Sequence, residues 1–142
     1  MSVHLNPYMT MNGNAKEAVA FYEKALDAQV IGLQTFAEMP ADPNQPPMPP
    51  EAKDRVLHAM IRIGETIVML SDTFPGMPYQ VGNHLTIALT THDVAQTRRY
   101  FEALAEGGQV GMPLQETFWS PAYGMVTDKF GMGWQITTEL KG

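Results

Sequence analysis

The sequence predicts an α+β fold of two βαβββ modules, whose curved mixed sheets form a cup with the helices outside. Each half opens with a short segment of alternating apolar and polar residues, followed by an amphipathic helical segment. Three strand-like segments then follow each helix. A shift of 78 residues superposes the halves, placing Tyr22 on Tyr100 and Leu26 on Leu104. The alternative is one α+β sheet with two helices and no internal symmetry.

We therefore expect one domain spanning 1–142, with a first module at 1–75 and a second at 80–142. Six prolines from Pro40 to Pro50 predict a loop at 39–54, because proline lacks a backbone donor and favours extended backbone. This loop is interpreted either as a surface insertion, or as a flap over a pocket or an arm that contacts a neighbouring subunit.

Both helices carry end signals. Asn14 is the predicted N-cap of the first helix, with Glu17 at the capping-box position. The second helix should start near Asp93 and end at Gly107-Gly108, since glycine readily adopts the left-handed conformation that ends helices. Alternating segments around Met9 and Met11, and around Leu85 to Leu89, predict the first strand of each module. The other predicted strands are Gln29–Phe36, Val56–Ile63, Thr66–Ser71, Gln109–Phe118, Tyr123–Thr127 and Trp134–Thr138.

A predicted hairpin at Gly64-Glu65 sorts its side chains onto two faces. A two-residue turn sets these cross-strand pairs: Arg62 with Ile67, Met60 with Met69, and His58 with Ser71. That face is mixed, whereas the opposite face is aliphatic and should pack on the helices. The same alternation turns inward Met9, Met11, Leu85, Ile87, Leu89, Trp134 and Ile136. The mixed faces should therefore line a cleft with apolar walls and a few polar groups, as small-molecule sites usually do.

Composition excludes several classes of protein. The 142 residues contain no cysteine, which excludes a disulfide scaffold, a thiolate metal site and a cysteine nucleophile. A net charge of −6 argues against nucleic acid and anionic membranes as partners. Only 17% of residues are charged, so some surface is apolar and a homodimer is expected. No targeting segment and no apolar run of about 20 residues is visible, which favours a soluble cytoplasmic protein.

Three groups of short motifs carry a resemblance to a known superfamily. They are Asn6-Pro7-Tyr8 with Ala20-Phe21-Tyr22; His58-Ala59 with Gly64-Glu65 and Met69-Leu70-Ser71-Asp72; and Gln115 to Trp119 with Tyr123-Gly124, Val126 to Gly131 and Trp134. In these the chain resembles the vicinal oxygen chelate superfamily, also called the glyoxalase/bleomycin-resistance/dioxygenase fold, and its PhnB-like branch. The resemblance implies paired modules in a U-shaped cup, usually within a homodimer.

Many members of that superfamily bind a divalent metal through one residue from the first and one from the last strand of each module, usually His, Glu, His and Glu. The resemblance places these positions here at Tyr8, Met69, Thr86 and Gln135. Neutral phenol, thioether, hydroxyl and amide groups are poor ligands for such a cation. We therefore expect no metal and no other cofactor.

Candidate site residues follow from the mixed faces and the resemblance. His58 is the candidate catalytic residue, because a histidine in a cleft can act as a general base; the alternative is a structural hydrogen bond to Ser71 or a carbonyl. The predicted ligand pocket comprises Tyr8, His58, Met60, Arg62, Met69, Ser71, Thr86, Glu116, Phe118, Trp119, Met125 and Gln135.

Several pocket residues have a second interpretation. Arg62 could hold an anionic ligand or pair with Asp72 or Glu65. Glu116 could supply a carboxylate at the rim or be an ordinary edge-strand charge. Phe118 and Trp119 could form a wall of the cup or simply pack.

Two functions remain open at this stage. No glycine-rich phosphate loop, Gly-x-Ser-x-Gly elbow or His-Glu-x-x-His motif is present. One function is a protein that binds a small molecule in an apolar cup without the usual metal. The other is a glyoxalase-, lyase- or dioxygenase-type enzyme with an atypical site around His58.

Overall fold

Both halves of the chain fold as βαβββ units in a computed structural model that describes residues 2–140. The chain divides into two compact units between Tyr79 and Gln80. In the first, the elements are β1 (Tyr8–Met11), α1 (Ala15–Leu26), β2 (Gln29–Thr35), α2 (Pro50–Lys53), β3 (Val56–Ile63) and β4 (Thr66–Asp72). In the second they are β5 (Ile87–Thr91), α3 (Val94–Ala105), β6 (Gln109–Gln115), β7 (Tyr123–Thr127) and β8 (Gly133–Thr138). Met1, Lys141 and Gly142, the predicted ends of the domain, lie outside the described residues.

The two sheets repeat one topology. The strand order is β1-β4-β3-β2 in the first unit and β5-β8-β7-β6 in the second. In each, the first strand runs parallel to the last strand of its unit, and the other neighbours are antiparallel. The predicted α+β fold with two four-stranded mixed sheets is confirmed, and both sheets are open.

The core of the first unit forms where the aliphatic face of the sheet meets α1. Ala59, Ile61, Val68 and Leu70 are all buried, as the predicted hairpin register requires. The apolar positions of α1 face them, because residues three and four apart share one face of a helix. Burying one such large side chain contributes roughly 1.5–3 kcal/mol.

The N-terminus of α1 is capped differently from the prediction. Asn14 occupies the N-cap position, but its side chain makes no capping hydrogen bond, so the predicted capping box does not form. Instead, Oδ1 of the buried Asp72 accepts from the backbone N–H of Gly13 (2.8 Å) and of Ala15 (3.0 Å). Oδ2 of Asp72 accepts from the N–H of Val56 at 2.8 Å. One carboxylate at the end of β4 therefore ties β1, α1 and β3 together.

In the second unit, α3 packs on the apolar face of β7 and β8. Phe101 and Leu104 of α3 are buried, as are Trp134 and Ile136 of β8. Asp93 accepts from the N–H of Ala95 as a helix cap, in agreement with the predicted start of this helix. The helix gives way to Gly107, which has a φ of +76° and so occupies the left-handed region.

Three other sequence predictions need correction. Strand β6 ends at Gln115 rather than Phe118, because Thr117 and Ser120 close a turn through three mutual hydrogen bonds. Leu85 does not pack inward: it precedes β5, has no strand partner and is 79% exposed. The predicted loop at 39–54 ends in the short helix α2, which has Pro50 in its first turn and buries Ala52.

None of the helices within residues 2–140 is long and apolar enough to cross a membrane.

Candidate functional site

The mixed face of the first sheet brings Tyr8, His58 and Ser71 together. In the parallel register Tyr8 lies beside Met69, two residues before Ser71. The Tyr8 hydroxyl donates to Oγ of Ser71 at 3.1 Å, and the Tyr8 and His58 rings lie 6.0 Å apart between centroids. Within residues 2–140, the imidazole of His58 has this ring contact and no hydrogen bond, so the suggested structural bond to Ser71 is not made. The imidazole is half-buried and available to a ligand on this face.

Further along the same face lie Met60, Met69 and Arg62. Met60 pairs with Met69, and Arg62 pairs with Ile67, which are the predicted partners. Arg62 is exposed and makes no ion pair within the described part of the chain. The suggested pair with Asp72 does not form, because that carboxylate accepts three backbone N–H groups. The guanidinium is therefore available to an anion at the rim of this face.

On the mixed face of the second sheet, two hydrogen bonds join three side chains in a row: Tyr123, Gln135 and Thr86. The Tyr123 hydroxyl donates to Oε1 of Gln135 at 2.8 Å. Nε2 of Gln135 donates to Oγ1 of Thr86 at 3.1 Å. Met125 lies directly across from Gln135 in the β7–β8 pairing, so it shares this face. All four side chains are half-buried.

Two further aromatic rings, those of Phe118 and Trp119, extend from the ring of Tyr123. The rings of Phe118 and Trp119 meet edge-on at 4.8 Å between centroids, and Trp119 meets Tyr123 edge-on at 5.3 Å. Phe118 is 97% exposed and Trp119 is more than half exposed, so neither belongs to the core of the unit. Glu116 is exposed in the loop after β6. The exposed rings offer stacking surface to a ligand or to another protein surface.

A cleft of about 630 Å³ opens next to Thr86. One wall is the segment from Gln80 to Thr86, and the other is the sheet around Met125 and Gly133. This segment lies close to the sheet because glycine occupies position 133: a Cβ there would be 3.1 Å from Cγ2 of Thr86. A second depression, of about 650 Å³, runs along the exposed side of α3 by Arg98 and is much more open to solvent. It includes none of the predicted site residues.

The side chains at the superfamily's metal-ligand positions do not suit a divalent cation. Tyr8 and Met69 are neighbours across β1 and β4, and Thr86 is bonded to Gln135. The amide oxygen of Gln135, the best oxygen donor of the four, already accepts from Tyr123. A thioether, a phenol and a hydroxyl carry no negative charge to balance a hard or borderline cation. Within residues 2–140, no group of three or more His, Asp and Glu side chains is placed to hold a metal.

Two features of the site escaped the sequence prediction. Tyr123 is not among the predicted site residues, although it precedes Met125 by two residues on β7 and so shares its face. The segment from Gln80 to Asn83 carries no strand pattern, and only the contact of Val81 with Gly131 shows that it walls a cleft.

The fold agrees with comparisons to known proteins. The model of the Glyoxalase/Bleomycin resistance protein/Dioxygenase superfamily matches residues 4–136, so the chain belongs to this superfamily. The predicted superfamily is thereby confirmed.

The chain is 34% identical over 140 residues to protein YjdN of Escherichia coli (strain K12), covering 93% of this chain and 92% of that protein. The crystal structure of protein PA1353 from Pseudomonas aeruginosa is 35% identical, with a TM-score of 0.85 over 99% of this chain and 100% of that one. A Bacillus cereus structure, described as a putative 3-demethylubiquinone-9 3-methyltransferase and PhnB protein, has a TM-score of 0.76 at 23% identity, over 96% and 99% of the chains. The last likeness shows a shared fold.

Proposed function

We propose that this protein binds a small molecule on its mixed sheet faces without the divalent metal that many members of the superfamily use. The observation that carries the proposal is the state of Gln135, whose amide is engaged at both ends by Tyr123 and Thr86. A side chain held in this way is suited to orient a ligand by hydrogen bonds. It is poorly suited to coordinate a metal, which also needs anionic partners.

The surroundings of Gln135 support a ligand with an apolar body. Met125 and the exposed rings of Phe118 and Trp119 supply polarisable and aromatic surface. The cleft beside Thr86 has the volume of a site for a small molecule. The mixed face of the first unit carries its own polar groups, Tyr8, His58 and Arg62, on the same face as Met60 and Met69.

Metal content tests the first half of the proposal. Protein purified without chelator and dialysed against trace zinc, nickel, manganese and iron should contain well under one metal ion per chain by elemental analysis. The reason is that the four positions Tyr8, Met69, Thr86 and Gln135 hold no anionic ligand. One tightly held ion per chain, lost on substitution of Gln135 by leucine, would contradict this expectation.

We also propose that the protein is a homodimer, with its two units in one domain. Several large apolar side chains are strongly exposed on the single chain: Val3, Leu5, Met77, Val81, Leu85 and Phe118. Exposed apolar surface of this extent is typical of a subunit interface. Light scattering at micromolar concentration should give twice the mass of the chain. A monomer at that concentration would contradict the proposal.

The second candidate function is an enzyme of the glyoxalase, lyase or dioxygenase type. The observation that favours it is the grouping of His58, Tyr8 and Ser71 on one face. Under this alternative His58 acts as a general base, which contributes roughly 10²- to 10⁴-fold to a rate. Turnover of a methylglyoxal–glutathione adduct or a catechol, lost at least 100-fold in His58→Ala, would favour the enzyme. We expect no turnover of either compound.

A further inference from the structure

We propose that the hydroxyl of Thr86 is a prepared hydrogen-bond donor, which selects an uncharged ligand with an acceptor oxygen in the cleft beside it. This inference rests on the proposed small-molecule function and names the chemistry of its ligand. It concerns the cleft between the segment Gln80 to Thr86 and the sheet of the second unit.

The directions of these two hydrogen bonds decide whether the Thr86 hydroxyl can still donate to a ligand. The Tyr123 hydroxyl donates to the amide oxygen of Gln135, which can only accept. The amide nitrogen of Gln135 then faces Thr86, and an NH₂ group can only donate. Oγ1 of Thr86 is therefore an acceptor in this bond, and its own O–H proton points elsewhere. Within residues 2–140, no protein group accepts a hydrogen bond from that proton.

Thr86, which carries this proton, is one of the residues that line the cleft. A half-buried hydroxyl that cannot donate to the protein needs water or a ligand, since an unmade hydrogen bond is costly away from solvent. A carbonyl or similar oxygen in the cleft would fill this position. Tyr123 does not contact the ligand. It fixes the amide orientation of Gln135, and this keeps the hydroxyl proton of Thr86 free for the ligand. Tyr123 is therefore a positioning residue.

The lining of the cleft argues for a ligand without charge. None of the thirteen residues that line it is charged. An anion or cation placed there would lose hydration with no opposite charge among these residues to replace it. The exposed Arg62 belongs to the other unit and is not part of this lining.

Three probes of similar size distinguish an uncharged ligand from an anion and a cation: benzamide, benzoate and benzylamine. Each is titrated into ¹⁵N-labelled protein, and binding is followed by the chemical shifts of the backbone amides. We expect benzamide to shift the amides of Thr86, Gly111 and Gly133 with saturation. Benzoate and benzylamine should bind at least five-fold more weakly. Thr86→Val keeps the shape and removes the donor, so it should weaken benzamide about five-fold, the usual effect of one neutral hydrogen bond.

Thr90→Val is the matched control. Thr90 lies on β5, four residues after Thr86 and outside the cleft lining, with no side-chain hydrogen bond within residues 2–140. It should leave benzamide binding unchanged. Tyr123→Phe should weaken benzamide two- to three-fold, and Thr86→Val/Tyr123→Phe should bind no more weakly than Thr86→Val alone, because Tyr123 acts through Thr86. A dispersed spectrum for each variant shows that it is folded.

The results that overturn the inference are equally definite. Benzoate that binds as tightly as benzamide overturns it, as does Thr86→Val with unchanged affinity, or the absence of any shift in these amides. In those cases a ligand that binds elsewhere on the mixed faces, for example with shifts at His58 and Met60, would leave the proposed function standing. Absence of any ligand in a broad thermal-shift screen would count against the proposed function itself.

Discussion

Replacing Asp72 by alanine should lower the free energy of unfolding by about 3–5 kcal/mol. The carboxylate is only 5% exposed, and it accepts hydrogen bonds from the N–H groups of Gly13, Ala15 and Val56. Alanine would leave these three donors without their acceptor, at a cost of roughly 1–3 kcal/mol for each one that water cannot reach. Urea unfolding followed by circular dichroism measures the loss, which corresponds to a fall in Tm of about 10 °C or more.

The control for this prediction is Asp54→Ala. Asp54 is exposed in the same unit and makes no side-chain hydrogen bond within residues 2–140, so its loss should change stability by less than about 0.5 kcal/mol. The pKa of Tyr79 is a second readout for Asp72→Ala. Partial burial and the negative charge of Asp72 both raise this pKa above the ordinary value for tyrosine. In the variant, where it remains folded, that pKa should fall. A variant as stable as the wild type would show that Asp72 does not organise the first unit.

Replacing Asp128 by alanine should lower the free energy of unfolding by about 3–4 kcal/mol. Asp128 is 3% exposed, and Oδ1 accepts from the N–H of Phe130 and of Met132 at 2.9 and 3.1 Å. Oδ2 accepts from the indole N–H of the buried Trp134 at 2.9 Å. Alanine therefore removes the carboxylate that accepts from a buried indole N–H and releases the turn between β7 and β8. Thermal unfolding by calorimetry measures the effect.

A double-mutant cycle separates the indole from the turn. Trp134→Phe removes the donor, so Asp128→Ala/Trp134→Phe should lose less stability than the sum of the two single variants, by about 1–2 kcal/mol. Glu139→Ala, which removes an exposed acidic side chain from the same unit, should have almost no effect. Strict additivity of the two variants would contradict the assigned bond between Trp134 and Asp128.

The repeated βαβββ order was predictable because it depends on local signals. Alternation with a period of two turns Met9 and Met11 into the core, and the same alternation buries Trp134 and Ile136. The hairpin register at Gly64 followed from turn length alone. These elements need nothing from distant parts of the chain to be recognised.

The parts that escaped prediction depend on contacts between distant residues. The cap of α1 comes from Asp72, which lies 57 residues beyond Ala15, so the local motif around Asn14 is misleading. Leu85 continues the alternation of β5 past the point where its partner strand ends, which pattern alone cannot detect. The candidate residues Thr86 and Gln135 were foreseen, but the bond between them and the role of Tyr123 require the register of β5, β7 and β8.

Ligand binding in the presence of a chelator is the most direct test of metal-independent recognition. Metabolites and flat aromatic compounds are screened by thermal shift, and each hit is repeated with EDTA and with added zinc, nickel and manganese. Because a ligand that binds only the folded state stabilises it by RT ln(1 + [L]/Kd), a hit at 100 times its Kd stabilises by about 2.7 kcal/mol. We predict that the shift is the same with and without EDTA. A shift that requires a divalent metal, or that EDTA abolishes, would contradict the account.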